Sequence, residues 1–284
     1  MNRFVALLKL TRIEHSIMLI VAVLAAELLS GRLPGAYTLA LSILVPIFIS
    51  AGAFAINDYY DIAVDRKNGR RDRPLVNGSL KPPTAVYTTV LAMVVGIAAS
   101  ALINFYCFAI AVIFALLAAA YAYRLKEILF WGNAYIAASM AIPFIFGAYV
   151  IGSSIKFNVL IILFIIFLSG LAREIDGSIR DLKGDTKVRN ARTIPRVVGK
   201  KAAASLAFSL YVAAILLSVY LFVYLPPFKL NYIYLILIAV CDALLVYSSA
   251  VYFGRSTARY RLSRNMSLAA MSIALLSFLV APLV

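Results

Sequence analysis

Nine long apolar stretches, separated by polar segments, dominate the hydropathy pattern of the chain. Within a few residues at each end they cover 14–30, 36–57, 84–103, 105–123, 134–152, 157–175, 202–224, 231–252 and 265–283. A helix needs ~20 apolar residues to cross the hydrocarbon core of a bilayer, and these stretches are close to that length. The stretches are too long and continuous to be strands of a β-barrel, which is the other structure that can span a membrane. The pattern therefore predicts an all-α, polytopic membrane protein with nine transmembrane helices.

Composition agrees with this prediction and excludes other classes. Hydrophobic residues make up 64% of the 284 residues and charged residues only 14%, and the mean hydropathy is +0.95. Ordinary soluble domains carry about 25% charged residues, so a soluble enzyme or a disordered chain is excluded. Cys107 and Cys241 lie inside apolar runs, which is typical of small buried side chains rather than of a disulfide framework or a metal site.

The basic residues predict how the chain is oriented in the membrane. There are 27 Lys and Arg against 12 Asp and Glu, a net charge of +15. If the N-terminus is cytoplasmic, every basic residue except Arg32, Lys156 and Lys229 falls on the cytoplasmic side, which matches the positive-inside rule. We therefore expect a multi-pass cell-membrane protein with its N-terminus inside and its C-terminus outside. Such a placement gives no reason to expect a nucleic acid as partner.

Two long cytoplasmic connections, about 58–83 and 176–201, interrupt a single transmembrane domain that we expect to span residues 1–284. Most of the 12 acidic residues lie in or beside them, although the same segments are also the most basic. In the first, Asn57, Asp61 and Asp65 share one helical face at i, i+4 and i+8, with Asp58 beside them. Like charges at these spacings weaken an isolated helix, and a bound cation would compensate for them.

The second connection repeats the pattern with different residues. Asp181 and Asp185 share a helical face, and Ser178 and Glu174 continue it toward the membrane, whereas Asp176 lies about half a turn away. Oxygen ligands without His or Cys suit Mg²⁺, Mn²⁺ or Ca²⁺, and Mg²⁺ is usually held by one or two carboxylates together with substrate phosphates. Interleaved Arg and Lys would bind the phosphate oxygens. The two acidic motifs therefore predict a site for a diphosphate and its metal.

At this point the sequence resembles the UbiA superfamily of intramembrane prenyltransferases. Asn57–Asp65 resembles its N-D-x-x-D-x-x-x-D motif, and Asp181–Asp185 resembles its second D-x-x-x-D motif. Weaker matches follow the family order over roughly residues 10–205: Asp72-Arg73-Pro74, Tyr121, Leu125-Lys126, Gly132-Asn133 and Thr193-Ile194-Pro195 with Gly199. The resemblance implies nine helices around a central, lipid-open cavity in which Mg²⁺ ions, or Mn²⁺ in their place, join both motifs to a prenyl diphosphate.

The resemblance also implies roles for individual residues. The predicted catalytic residues are Asn57, Asp61, Asp181 and Asp185. The predicted metal ligands are Asp58, Asp61, Asp65, Asp181 and Asp185. The predicted substrate-binding residues are Arg73, Lys126, Tyr121, Asn133, Ser178 and His15. An allylic cation forms as diphosphate leaves and is captured by a lipophilic acceptor, and aromatic faces in a dry cavity would stabilise such a cation.

Two residues depart from the family pattern. Ser178 stands where many relatives have an aspartate, so we expect the second metal to be held less tightly. His15, the only histidine, stands where many relatives have asparagine, and it could contact the acceptor or accept a proton or hold an ordinary interfacial position.

Two questions stay open at this stage. The residues around Arg173-Glu174 and Asp181 most resemble the archaeal branch that adds a second geranylgeranyl chain to geranylgeranylglyceryl phosphate, with an aromatic quinone-precursor acceptor such as 4-hydroxybenzoate as the alternative. A cation-coupled transporter is the alternative from another class. Transporters place carboxylates near the bilayer midplane on broken helices, whereas most acidic residues here gather at one membrane face.

Overall fold

A computed structural model describes residues 2–152, 154–188, 193–254 and 259–284, and within 183–188 it describes the backbone alone. Within these ranges the chain forms helices and turns. The helices are α1 (Arg3–Thr11), α2 (Ser16–Ser30), α3 (Ala36–Lys67), α4 (Pro82–Ala101), α5 (Phe105–Tyr123), α6 (Trp131–Ile151), α7 (Phe157–Val188), α8 (Ile194–Val198), α9 (Lys200–Tyr224), α10 (Tyr232–Ala250) and α11 (Tyr260–Val280).

Nine helical segments of the described chain are long and apolar enough to cross a membrane, as the hydropathy pattern predicts. They correspond to α2–α7 and α9–α11. The predicted boundary at Asn104 is also confirmed: its side chain accepts a hydrogen bond from the backbone N–H of Cys107 at 2.8 Å and begins α5.

Two boundaries differ from the sequence prediction, and both differences concern the acidic motifs. We expected the first long connection to begin at about residue 58 and the second at about 176, but α3 continues to Lys67 and α7 to Val188. Each helix is 32 residues long, or about 48 Å at 1.5 Å per residue, which exceeds the hydrocarbon thickness. The acidic residues of both motifs therefore lie on helices that are longer than the apolar core is thick.

Helix packing brings the acidic ends of these two helices to one end of a closed arrangement. The helices α2 and α7 both pack against α6, α3 packs against α4 and α5, and α9 packs against α7. The last helix, α11, packs against α10 and returns to α2. Small residues permit close approach, as at Gly147 of α6, where a Cβ would lie 2.7 Å from the backbone oxygen of Val23.

Candidate active site

Asp58 of the first motif lies between two arginines from distant parts of the chain. Its side chain is only 3% exposed. Arg12, just after α1, donates from Nη2 to Asp58 Oδ1 at 2.9 Å, and Arg73 donates from Nη1 to Asp58 Oδ2 at 3.0 Å. Such charge-assisted bonds hold the end of α3 against both flanking segments.

Asp61 and Asp65, one and two turns further along α3, contact different basic groups. Lys126 donates from Nζ to Asp61 Oδ1 at 2.7 Å, across 65 residues of sequence, and the lysine side chain is only 8% exposed. Arg73 Nε lies 3.7 Å from Asp65 Oδ2. Asn57 donates from Nδ2 to Asp61 Oδ2 at 3.1 Å. The first motif is therefore held by two sets of contacts: Asp58 and Asp65 through arginines, and Asn57 and Asp61 beside Lys126.

Lys126 reaches Asp61 from the short connection between α5 and α6. It lies in a short 3₁₀ turn, Leu125–Glu127, between the two helices. Gly132, at the start of α6, packs against that turn, and a Cβ there would lie 3.2 Å from the backbone oxygen of Lys126. A larger residue at position 132 would push the turn away, so the glycine helps to position the lysine beside Asp61.

The second motif is connected to α6 through Ser178. Its hydroxyl donates to the backbone oxygen of Glu174 at 3.0 Å, and Asn133 donates from Nδ2 to Ser178 Oγ at 3.3 Å. Asp181, one turn further, accepts two hydrogen bonds from Arg180, its neighbour in sequence, at 2.8 and 2.6 Å. Asp185 lies within α7, but its side chain is outside the described part of the structure.

An apolar cavity of about 590 Å³ lies between the helices beside these motifs. Its lining includes three of the predicted residues, His15, Asn57 and Tyr121. Asn57 both lines the cavity and bonds to Asp61, so it joins the charged network to the apolar space. Asp242, inside α10, also lines the cavity and accepts a hydrogen bond from Ser218 Oγ at 3.0 Å.

Stacked aromatic rings line one side of this cavity. The Tyr121 and Tyr135 rings are 4.5 Å apart between centroids and inclined by 20°, and Phe114 stacks on the other end of the series at 6.0 Å from Tyr135. All three residues line the cavity. Aromatic faces attract positive charge, and the attraction is strongest where water is excluded. The cavity is therefore suited to a carbocation-like centre.

The turn after α3, outside the membrane, contains an exposed ion pair. Arg70 donates from Nε and Nη2 to the two carboxylate oxygens of Asp72, both at 3.0 Å. These hydrogen bonds lower the pKa of Asp72 to about 2, so its carboxylate stays ionised at neutral pH. Arg73 follows directly and reaches back to Asp58 and Asp65. The turn thus positions the arginine of the predicted Arg-Pro segment.

The residues of the first motif fit a hard divalent cation. Asn57 Oδ1 is buried without a hydrogen-bond partner in the structure, although its amide nitrogen is bonded to Asp61. A buried carbonyl oxygen of this kind costs free energy unless it is paired, and a hard cation would pair it. Among the described residues, groups of three or more acidic, His or Cys side chains do not converge as a ready-made metal cage. That arrangement suits Mg²⁺, which takes few protein ligands and completes its shell with phosphate oxygens and water.

Two contacts of this site were not predicted from the sequence. Arg12 was interpreted only as one of the basic residues that orient the chain, yet it pairs with Asp58. Tyr135 was not singled out at all, although it lies two residues after the predicted Asn133 and stacks on Tyr121. For Arg12 the available signal is its position at the end of the short amphipathic helix α1. For Tyr135 there is no comparable signal, because aromatic residues are common along the membrane-spanning helices.

Comparison with known proteins agrees with this geometry. A digeranylgeranylglyceryl phosphate synthase of Archaeoglobus fulgidus is 35% identical over 96% of this chain and 94% of its own length. The solved structure of a digeranylgeranylglyceryl phosphate synthase aligns over 99% of both chains with a TM-score of 0.76 and 30% identity. A UbiA homologue from Archaeoglobus fulgidus bound to DMAPP and Mg²⁺ has the same fold, with a TM-score of 0.72 at 20% identity, over 98% of this chain and 97% of its own.

The family model for UbiA prenyltransferases matches residues 18–276, which include both aspartate motifs and all nine membrane-spanning helices in whole or in part. This breadth excludes the cation-coupled transporter considered from the sequence. The protein is a multi-pass membrane protein that belongs to the UbiA prenyltransferase family.

Proposed function

We propose that the protein transfers a geranylgeranyl chain from its diphosphate to the free hydroxyl of geranylgeranylglyceryl phosphate. The observation that carries the proposal is the position of the first aspartate motif, whose Asn57 joins a network of carboxylates and basic groups to an apolar, aromatic-lined cavity. The diphosphate of the donor needs the charged groups, and its isoprenoid chain needs the apolar cavity. Relatives that are more than 30% identical over nearly the whole chain carry the name of this synthase.

The proposed reaction balances without a further reactant. The bond between C1 of the geranylgeranyl group and its diphosphate oxygen breaks, and both electrons leave with the diphosphate. The hydroxyl oxygen of the acceptor forms the new C–O bond to C1, and its proton is taken up by the departing diphosphate. The stacked rings of Tyr121 and Tyr135 face the developing positive charge, and the apolar lining keeps water from capturing it.

The basic residues around the first motif would bind the leaving group. Arg73 and Lys126 each contact a carboxylate of this motif, and on this proposal they also bind the diphosphate oxygens. Bound Mg²⁺ would neutralise the charge that grows on the diphosphate. On this proposal Asp61, Asp65 and the free oxygen of Asn57 hold it from α3, and Asp181 and Asp185 hold it from α7. Asp58 is also a predicted metal ligand, but two arginines already hold it, so on this proposal it keeps Arg12 and Arg73 in place.

The experiment uses purified protein in detergent with Mg²⁺ and radiolabelled geranylgeranyl diphosphate. One reaction contains geranylgeranylglyceryl phosphate and the other contains 4-hydroxybenzoate. We expect label in a digeranylgeranyl ether lipid only in the first reaction, and loss of product when the metal is chelated. Label in the benzoate product alone would overturn the acceptor assignment, and label in neither would overturn both acceptors.

We also propose that the aspartate motifs face the cytoplasm. The proposal is supported by the basic residues, all but three of which fall at the membrane face that carries the motifs. The test places a single cysteine at Arg71 or at Lys229 in a variant whose two native cysteines are replaced by alanine. In intact cells an impermeant thiol reagent should label the variant Lys229→Cys and leave the variant Arg71→Cys unlabelled. The opposite pattern would reverse the orientation.

A further inference from the structure

A second group of basic side chains lines the cavity, on helices other than α3. Arg173 lies on α7 and Arg264 lies at the start of α11, and both belong to the cavity lining. The two helices pack against each other and against α2. Arg264 is exposed, so this part of the lining lies where the cavity opens. The position suits a charged head group whose apolar chain extends into the cavity.

Arg173 and Arg264 differ from the basic residues of the first motif in that neither donates a hydrogen bond to an aspartate of α3, and both have donors to spare. Arg173 contacts Glu174 only from Nη1, at the long distance of 3.4 Å, and its Nε is buried without a partner. Arg264 forms no side-chain hydrogen bond or ion pair with another described residue. A buried guanidinium N–H that lacks a partner costs free energy, and an incoming anion can recover it.

Arg12, Arg73 and Lys126, by contrast, are already engaged. Each donates to an aspartate of α3 at 3.1 Å or less. They are therefore positioned to act together with that motif on one anion. The proposed reaction has two anionic substrates, the diphosphate of the donor and the phosphate monoester of the acceptor. Two anions in one cavity repel each other unless each has its own cations.

We propose that Arg173 and Arg264 bind the phosphate of the acceptor and thereby select a phosphorylated glycerol lipid over its uncharged counterpart. The inference rests on the proposed function and extends it to particular residues. Planar guanidinium groups bind phosphate oxygens in pairs, which suits two arginines that line one cavity from helices in contact with each other. His15 lines the same part of the cavity and lies near Arg173, so its ring can also contact the glycerol portion.

Two carboxylates line the same cavity and limit how strongly an anion is held. Glu174 lies beside Arg173, and Asp242 lines the cavity from α10. Glu174 contacts only Nη1 of Arg173, and Asp242 accepts a hydrogen bond from Ser218. The net charge of the four groups is therefore close to zero, so recognition depends on the directed N–H groups rather than on a diffuse positive field.

The experiment measures steady-state kinetics of the variants Arg173→Gln and Arg264→Gln with geranylgeranylglyceryl phosphate and with unphosphorylated geranylgeranylglycerol. We expect each variant to raise the KM for the phosphorylated acceptor about 10- to 100-fold, because a hydrogen bond to a charged group is lost. The KM for geranylgeranyl diphosphate should change less than about threefold. Kinetics with the unphosphorylated acceptor should also be nearly unchanged, so the preference of the wild-type protein for phosphate is lost.

The control variant is Arg261→Gln, which removes the same charge from an exposed position on the same helix outside the cavity lining. It should behave as the wild type with both substrates. The variants Arg173→Lys and Arg264→Lys, which keep the charge, should restore part of the acceptor affinity and show that a loss does not reflect misfolding.

The outcomes separate this inference from the proposed function. If the wild type makes the ether lipid but Arg173→Gln and Arg264→Gln raise the KM of the donor instead, the two arginines bind diphosphate and the inference fails. Unchanged acceptor KM in both variants would also overturn it. If the wild type makes no ether lipid, the proposed function itself fails, whatever the variants do.

Discussion

The two aspartate motifs share a D-x-x-x-D spacing, but the structure surrounds them very differently. In the first, Asp58 and Asp61 bond to Arg12 and Lys126, which are 46 and 65 residues away in sequence. In the second, Asp181 bonds to the adjacent Arg180, and its side chain is 51% exposed. The first motif is thus fixed by several charged tertiary contacts, whereas the described hydrogen bond from another helix to the second motif is the long one from Asn133 to Ser178.

This difference indicates that the two motifs have different roles in the site. Exposed ion pairs between neighbouring residues contribute little to stability, so the Arg180–Asp181 pair does not restrain the aspartate. The first motif is preorganised before a ligand arrives, and its geometry resists displacement. The second can reorient when a metal and a diphosphate bind. We therefore expect changes in the first motif to affect both folding and catalysis, and changes in the second to affect mainly metal binding.

The largest expected effect is on catalysis, from removing the charge of one aspartate in each motif. Asp61→Asn should lower kcat about a thousandfold and Asp181→Asn about a hundredfold, because each loses a ligand that stabilises the departing diphosphate and only Asp61 also positions Lys126. Release of diphosphate from geranylgeranyl diphosphate measures both. The exposed neighbour Glu127 offers the control Glu127→Gln, which should retain full activity. Unchanged release in both variants would refute the assignment of the motifs.

The second effect concerns stability and should appear only in the first motif. Asp58→Asn leaves two guanidinium groups without their charged partner in a poorly solvated site, so we expect a loss of about 2–3 kcal/mol in the free energy of unfolding. Thermal unfolding in detergent measures the change. The matched variant Asp181→Asn should alter the unfolding temperature very little. Equal destabilisation by both would remove the distinction between a fixed and an adaptable motif.

The third effect would make the second motif more like its relatives. Ser178→Asp adds a carboxylate one turn before Asp181, where many members of the family have one. The affinity of a site for a hard cation rises with the number of charged ligands. We expect the Mg²⁺ concentration for half-maximal activity to fall about three- to tenfold. Ser178→Ala adds no charge and removes the hydrogen bond from Asn133, so it should raise that concentration two- to fivefold instead. An increase in Ser178→Asp would show that this position does not face the metal.

The sequence was sufficient to predict the helices and the motif faces, and the reason is physical. Twenty apolar residues have few ways to satisfy their backbone in lipid, so the number of spans follows from the pattern alone. The spacing of Asn57, Asp61 and Asp65 likewise predicts a shared face, since 3.6 residues make one turn. The same reasoning predicts that α3 is helical at the motif, but not that it continues to Lys67.

The contacts between distant segments could not be predicted in this way. Neither hydropathy nor spacing indicates that Arg12 rather than Arg3 or Lys9 pairs with Asp58, because that choice depends on how the end of α1 packs on α3. The stacking of Tyr121 on Tyr135 depends in the same way on the crossing of α5 and α6. The metal and substrate roles of the motif residues stay predictions that the variants above test.

The smallest expected effect comes from the one described hydrogen bond between α6 and the second motif. Asn133 donates to Ser178 at 3.3 Å, a long bond in a partly buried position, so its loss should cost about 1 kcal/mol or less. Because the bond holds the part of α7 that precedes Asp181, Asn133→Ala should raise the Mg²⁺ requirement two- to fivefold with kcat at saturating metal nearly unchanged. The double variant Asn133→Ala with Ser178→Ala should equal the more affected single variant, since both remove the same bond. Additive effects would mean that Asn133 contacts substrate directly instead of acting through α7.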